Sequence, residues 1–129
     1  MQQAPPYGAV IYAKDYRALA GFYERVAGFA QREADEEYVL LEAPSFQLVV
    51  LQIPTHIAAS IKLESPPRKR ENTPIKLFLT VASIEDARRT ARQLGGDMND
   101  AEKEWSFHGL KRCDGVDPEG NVFQVQEMA

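Results

Sequence analysis

The sequence predicts an α+β fold built from two βαβββ modules in tandem, and two spacings carry that expectation. Asp15 and Ser83, each standing where a helix N-cap belongs, lie 68 residues apart; Gly28 and Gly95, each standing where a helix ends, lie 67 apart. A strand precedes each helix and further strands follow it, so the order of elements repeats with the spacing.

The first informative run is Gly8-Ala-Val-Ile-Tyr-Ala13, short and β-prone. Asp15 then opens a helix whose apolar face is Leu19, Phe22, Tyr23 and Val26, at i, i+3, i+4 and i+7, stopped by Gly28. Tyr38 to Leu41 and Phe46 to Ile53 read as strands around a turn at Ala43-Pro44-Ser45, and Pro54 argues against extending the second. The order returns with a strand over Ile75–Val81. Ser83 follows as an N-cap with Asp86 three residues on, as in a capping box. Ile84, Ala87, Ala91 and Leu94 form the second helical face, ended by Gly95-Gly96. Two more strands are expected, one within Trp105 to Cys113 and one over Asn121 to Glu127, joined by the turn Asp117-Pro-Glu-Gly-Asn121. In that turn Asp117 is suited to bond the backbone two residues on, with Pro118 fixing the bend. Each module is too small to bury a sheet face alone, so one domain over residues 1–129 is expected, with module one at about 7–53 and module two at about 75–127. The crossover between them, 54–74, holds a stretch able to form two turns of helix (His56 to Leu63). A proline-bounded basic stretch follows, including Arg68-Lys69-Arg70; it reads as a solvated linker or as an anion- or partner-contacting arm.

Composition narrows the function. The chain has 129 residues, 44% hydrophobic and 26% charged, enough for one core and too ordinary for disorder or a fibre. Its net charge of −4 argues against a general phosphate-backbone binder, so no nucleic-acid partner is expected. No apolar stretch reaches the ~20 residues of a membrane helix, and Met1 to Tyr7 reads without a secretion signal, so no membrane partner is expected. A single cysteine, Cys113, excludes an intrachain disulfide and leans toward a cytoplasmic setting.

Strand alternation sorts side chains by face. Ile75, Leu77, Leu79 and Val81 make a uniformly aliphatic face; Lys76, Phe78 and Thr80 oppose them. Gly8, Val10 and Tyr12 oppose Ala9, Ile11 and Ala13, while Val122, Gln124 and Gln126 oppose Phe123 and Val125. Helices over the aliphatic faces would leave mixed faces that line a ligand cavity, or that simply meet solvent.

The run Asp117-Pro-Glu-Gly-Asn-Val-Phe-Gln-Val-Gln126 resembles the C-terminal turn and strand of the vicinal oxygen chelate superfamily, which includes glyoxalase I, bleomycin-resistance proteins and extradiol dioxygenases. Asp15 to Phe29 is similar to that superfamily's first helix and its exit. The resemblance implies paired modules whose mixed sheets curl around a shared cavity with the helices outside, and a homodimer. It also implies four metal-ligand positions, two per module, typically His and Glu. Here these fall on Gly8, a position near Val50 with Leu48 and Gln52 as same-face neighbours, Lys76 and Gln124. Glycine and valine offer no ligand, lysine repels a cation, and a neutral amide oxygen is a poor substitute for carboxylate. No metal and no cofactor are therefore expected. His56 and His108, some fifty residues apart, offer no zinc spacing with Cys113 and Asp114. The leading expectation is a metal-independent protein binding a small molecule, with Tyr12, Lys76, Phe78, Trp105 and Gln124 as ligand-binding residues. The alternative is a lyase- or isomerase-type enzyme using Lys76 as base. In either case Lys76 could equally pair with an acidic ligand or with an internal carboxylate such as Glu127, or snorkel to the mouth.

Overall fold

The chain divides into two compact units, Met1–Lys62 and Leu63–Ala129. The computed structural model describes residues 4–70 and 72–129. The first unit runs β1 (Tyr7–Ala13), α1 (Tyr16–Ala27), β2 (Ala30–Ala34), β3 (Tyr38–Ala43), β4 (Phe46–Gln52) and a one-turn helix α2 (Thr55–Ala58). The second runs β5 (Leu77–Val81), α3 (Ile84–Gln93), β6 (Asp97–Met98), a 3-10 turn (Ala101–Lys103), β7 (Trp105–Phe107), β8 (Leu110–Val116) and β9 (Val122–Glu127).

Each unit carries one open mixed sheet, and the two share a plan. In the first the strand order is β1-β4-β3-β2; in the second it is β5-β9-β8-β6, with β7 also pairing β8. The opening strand of each module lies parallel to its closing strand, β1 to β4 and β5 to β9, and the remaining pairs are antiparallel. This is the tandem βαβββ arrangement, α+β with mixed sheets.

The caps act where the sequence places them. Asp15 accepts a bond from Ala18 N at 3.2 Å, and Ser83 Oγ one from Asp86 N at 3.1 Å. Glu127 at the end of β9 also caps α3, accepting from Ile84 N at 2.8 Å. Gly28 and Gly95 both take left-handed backbone, φ 74 and 89, the conformation that ends a helix cheaply only at glycine. In module one Leu19, Phe22, Tyr23 and Val26 of α1 are buried, as are Val39, Leu41, Leu48 and Val50 on the strands it packs against. In module two Ile84, Ala87 and Ala91 of α3 are buried, together with Met98, Cys113, Phe123 and Val125.

Several boundaries move. β2 and β6 had no individual sequence signal: every β2 residue is exposed, and β6 is two residues long. The stretch from Trp105 to Cys113 holds a hairpin rather than one strand, and its second strand runs on to Val116. His108 and Gly109 form its two-residue turn, both with positive φ, as a type I′ hairpin requires. β5 begins at Leu77, so Ile75, expected on the aliphatic face, precedes the strand and is exposed. Of the two helical turns expected over His56 to Leu63, the structure forms one, Thr55–Ala58.

The turn 117–121 is a dense polar knot. Asp117 is fully buried. Its Oδ1 accepts from Glu119 N and Asn121 N at 2.8 and 3.0 Å, and its Oδ2 from Asn121 Nδ2 at 2.9 Å. Gly120 has φ 87, and a Cβ there would stand 2.4 Å from the Arg68 carbonyl oxygen. The basic stretch is tied to this turn: Arg70 N donates to Gly120 O at 2.8 Å and Arg70 Nε to Glu119 O at 3.2 Å.

Asp117→Ala should cost about 2–4 kcal/mol in urea denaturation, because it strands buried donors that now bond a carboxylate. Cys113 is also wholly buried, its thiol donating to Asn99 O at 3.3 Å. Burial pushes its pKa up, partly opposed by the bond from Arg88. The native state therefore holds this proton more tightly than the unfolded chain. That contribution is intact below the unfolded thiol's ordinary value of about 8.5 and is lost as pH rises toward the higher native value. Cys113→Ala should accordingly flatten the fall of the urea midpoint above about pH 8.5 relative to wild type.

Candidate functional site

A single helix covers one face of each sheet, and the other face carries the candidate site residues. On β8 the residues opposing buried Cys113 are Arg112 and Asp114; register places them beside Gln126 and Gln124 of β9, which in turn pair with Thr80 and Phe78 of β5. Trp105 of β7 pairs with Arg112, and Phe107 with Leu110. Lys76 stands immediately before β5. Module two therefore gathers Lys76, Phe78, Trp105 and Gln124 on one face, and adds Arg112 and Asp114.

Arg112 is the centre of that face. Its Nε and Nη2 donate to Gln126 Oε1 at 3.1 and 2.8 Å, and its Nη1 donates to Gln124 Oε1 at 2.9 Å. Its Cζ lies 4.4 Å from the Phe78 ring centroid and 4.8 Å from that of Phe107, contacts worth about 0.5–1 kcal/mol each when exposed. Phe78 and Phe107 are half-exposed, and Trp105 is 38% exposed. No carboxylate among the described residues pairs with Arg112.

Lys76 has its own partner. Its Nζ lies 3.0 Å from Asp114 Oδ2; the other carboxylate oxygen, Oδ1, is enclosed and meets no donor among the described residues. Glu127, one internal carboxylate that could have paired with Lys76, instead caps α3. An ammonium paired with a carboxylate donates hydrogen bonds and has no lone pair with which to accept a proton.

In module one Tyr12 lies on the open face, 65% exposed, in a cross-strand row with Leu51 and Tyr38. The Tyr38 hydroxyl donates to Glu33 at 2.7 Å. That bond first, with burial and the charges of Glu33, Asp35 and Glu37, pushes the phenol up to about 12.

The ligand positions that the resemblance implies fail a fit test on geometry. A Cβ on Gly8 would sit 2.6 Å from the Gln47 carbonyl oxygen, so β4 backbone occupies the space of any side chain there. Val50 is fully buried under α1; this corrects the second position. Val49, paired with Val10 as Gln124 is paired with Phe78, is the open-face residue and equally offers no donor. Lys76 is cationic and ion-paired, and the Gln124 oxygen already accepts from Arg112. No group of three or more His, Cys, Asp or Glu able to hold a metal ion occurs among the described residues. These positions do not suit a divalent cation.

Arg112 was not singled out from sequence. Its strand was bounded only loosely, and without a register Leu110-Lys-Arg-Cys-Asp-Gly-Val116 cannot be divided into faces. Buried Cys113 with Arg112 and Asp114 on either side was the available signal.

Two βαβββ modules, each with a parallel outer strand pair and a helix on one face, define a glyoxalase-type fold. The model of the glyoxalase-like domain matches residues 8–126, and the chain belongs to that family. A solved structure similar to it is a glyoxalase/bleomycin resistance protein/dioxygenase family enzyme from Burkholderia phytofirmans PsJN. It is 18% identical with a TM-score of 0.69, covering 98% of this chain and 100% of the other. The bleomycin resistance determinant encoded on the transposon Tn5 is 16% identical, with a TM-score of 0.56 and 98% of each chain covered. A fosfomycin resistance protein from Mesorhizobium loti is 11% identical, with a TM-score of 0.64, covering 100% of this chain and 95% of the other. Comparison with curated protein sequences finds no match. No helix among the described residues is long and apolar enough to cross a membrane.

Gly8→His should not create a metal site. Native mass spectrometry in nickel or zinc should show no gain in stoichiometric metal. The urea midpoint should fall by the equivalent of about 1–3 kcal/mol, the usual cost of forcing extra atoms into a packed position.

Proposed function

We propose that this protein binds a small organic molecule on the open sheet faces without a divalent metal. The observation that carries the reading is the chemistry at the ligand positions: Gly8 is closed by the Gln47 carbonyl, Lys76 is cationic, and the Gln124 oxygen is committed to Arg112. Exposed aromatic rings and preorganised polar groups suit recognition by stacking and hydrogen bonding. Tyr12, Lys76, Phe78, Trp105 and Gln124 are the ligand-binding residues of this proposal, with Arg112 added. Relatives whose names record bleomycin and fosfomycin resistance make drug-like molecules reasonable first probes. The working assembly is a homodimer, as the family resemblance implies, in the cytoplasmic setting toward which the single cysteine leans. The Lys76–Asp114 pair counts against the alternative in which Lys76 acts as a general base.

Native mass spectrometry of the untagged protein, before and after exposure to Ni, Zn, Mn and Fe(II), tests this directly. The expected result is a dimer with no stoichiometric ion, in which any co-purifying organic adduct survives chelation. One metal per protomer, removable by chelator and restoring turnover of a substrate, would overturn the proposal.

A further inference from the structure

The open face of module two carries a cation whose charge no described side chain balances. Lys76 is matched by Asp114. Arg112 is held only by neutral amides and aromatic rings. The two glutamine oxygens fix the plane of its guanidinium, and Phe78 and Phe107 each lie within cation–π range of it. Each Nη donates one bond to a glutamine, so each keeps a second hydrogen that no described residue accepts. Those hydrogens belong to a group already fixed in orientation, which lowers the entropy lost when an anion binds. The half-exposed rings of Phe78 and Phe107 lie against the guanidinium, and Trp105 is the cross-strand partner of Arg112 on the same face.

The geometry points to a subsite for a small aromatic anion, a carboxylate or phosphonate, anchored by the free Nη hydrogens of Arg112 with its ring against Phe78, Phe107 or Trp105. This deepens the reading of the face as a small-molecule surface and rests on it. Charge selects the ligand: a neutral amide of the same shape keeps the ring contacts and loses the charge-assisted bonds. A benzylammonium ion meets Arg112 with like charge.

The test is calorimetric titration of the full-length protein with benzoate, phenylphosphonate, benzamide and benzylamine, read in parallel through the fluorescence of the only tryptophan, Trp105. Benzoate and phenylphosphonate should bind about tenfold or more tightly than benzamide or benzylamine, with affinity falling as salt is raised. Arg112→Met should bring benzoate down to the benzamide level, and Arg112→Lys should recover part of the loss because it keeps the charge without the fork. The wild-type ligand series decides the matter even if Arg112→Met fails to fold. Equal binding of benzamide and benzoate, no benzoate binding at millimolar concentration, or a folded Arg112→Met with unchanged benzoate affinity would each overturn the subsite. If Arg112→Met instead converts a dimer to monomer while benzoate does not bind, the face is an interface between copies and the inference fails. Tight metal-free binding of benzamide or benzylamine would sink the anion preference while leaving the proposed function standing. A stoichiometric metal would do the reverse.

Discussion

A sheet has two faces, and in each module one helix is available to cover them. The parallel pairing of opening and closing strands, β1 with β4 and β5 with β9, requires the chain to cross over, and it does so through α1 and α3 on one side. The remaining pattern follows from that constraint. Leu48, Val50, Cys113, Phe123 and Val125 go beneath the helices and are buried. Their strand neighbours Val49, Arg112, Asp114 and Gln124 stay outside. Function on this scaffold is decided by what the second set of residues is made of.

In module two that set mixes charged and amide side chains with aromatic rings. Lys76 is neutralised by Asp114, whereas Arg112 is hydrogen-bonded by two glutamines and keeps its charge unbalanced among the described side chains. Such a network positions side chains more than it stabilises the fold, since a half-exposed ion pair is worth only about 0–1 kcal/mol. The gain is orientation. A guanidinium with its plane already set and aromatic rings against it resembles a prepared socket, whereas a lysine at the same place would wander.

Helices and their ends were legible in the sequence because caps are local. Asp15, Ser83, Gly28 and Gly95 act within a few residues of themselves, and their spacing exposed the repeat. The Asp117 turn was legible for the same reason. What escaped depends on partners distant in the chain. β2 is an exposed edge strand whose residues never needed an apolar alternation. The second ligand position could be assigned to Val49 rather than Val50 only through its pairing with Val10. Arg112 acquires meaning from Gln126 across the ladder and from Phe107 across a hairpin turn, neither of which a face assignment made without register can supply.

The bonds from Arg70 to Gly120 and Glu119, with the Arg68 carbonyl pressed against Gly120, give the connecting segment an allegiance. The crossover that reads in sequence as a linker over 54–74 is shared between the two compact units, which divide at Lys62 and Leu63, and its basic stretch belongs with the C-terminal unit. A recombination event that exchanged modules between relatives would keep both sides of these contacts from one parent only if its crossover point fell before Arg68. The boundary between Lys62 and Leu63 is the natural seam for building chimaeras from halves of different ancestry.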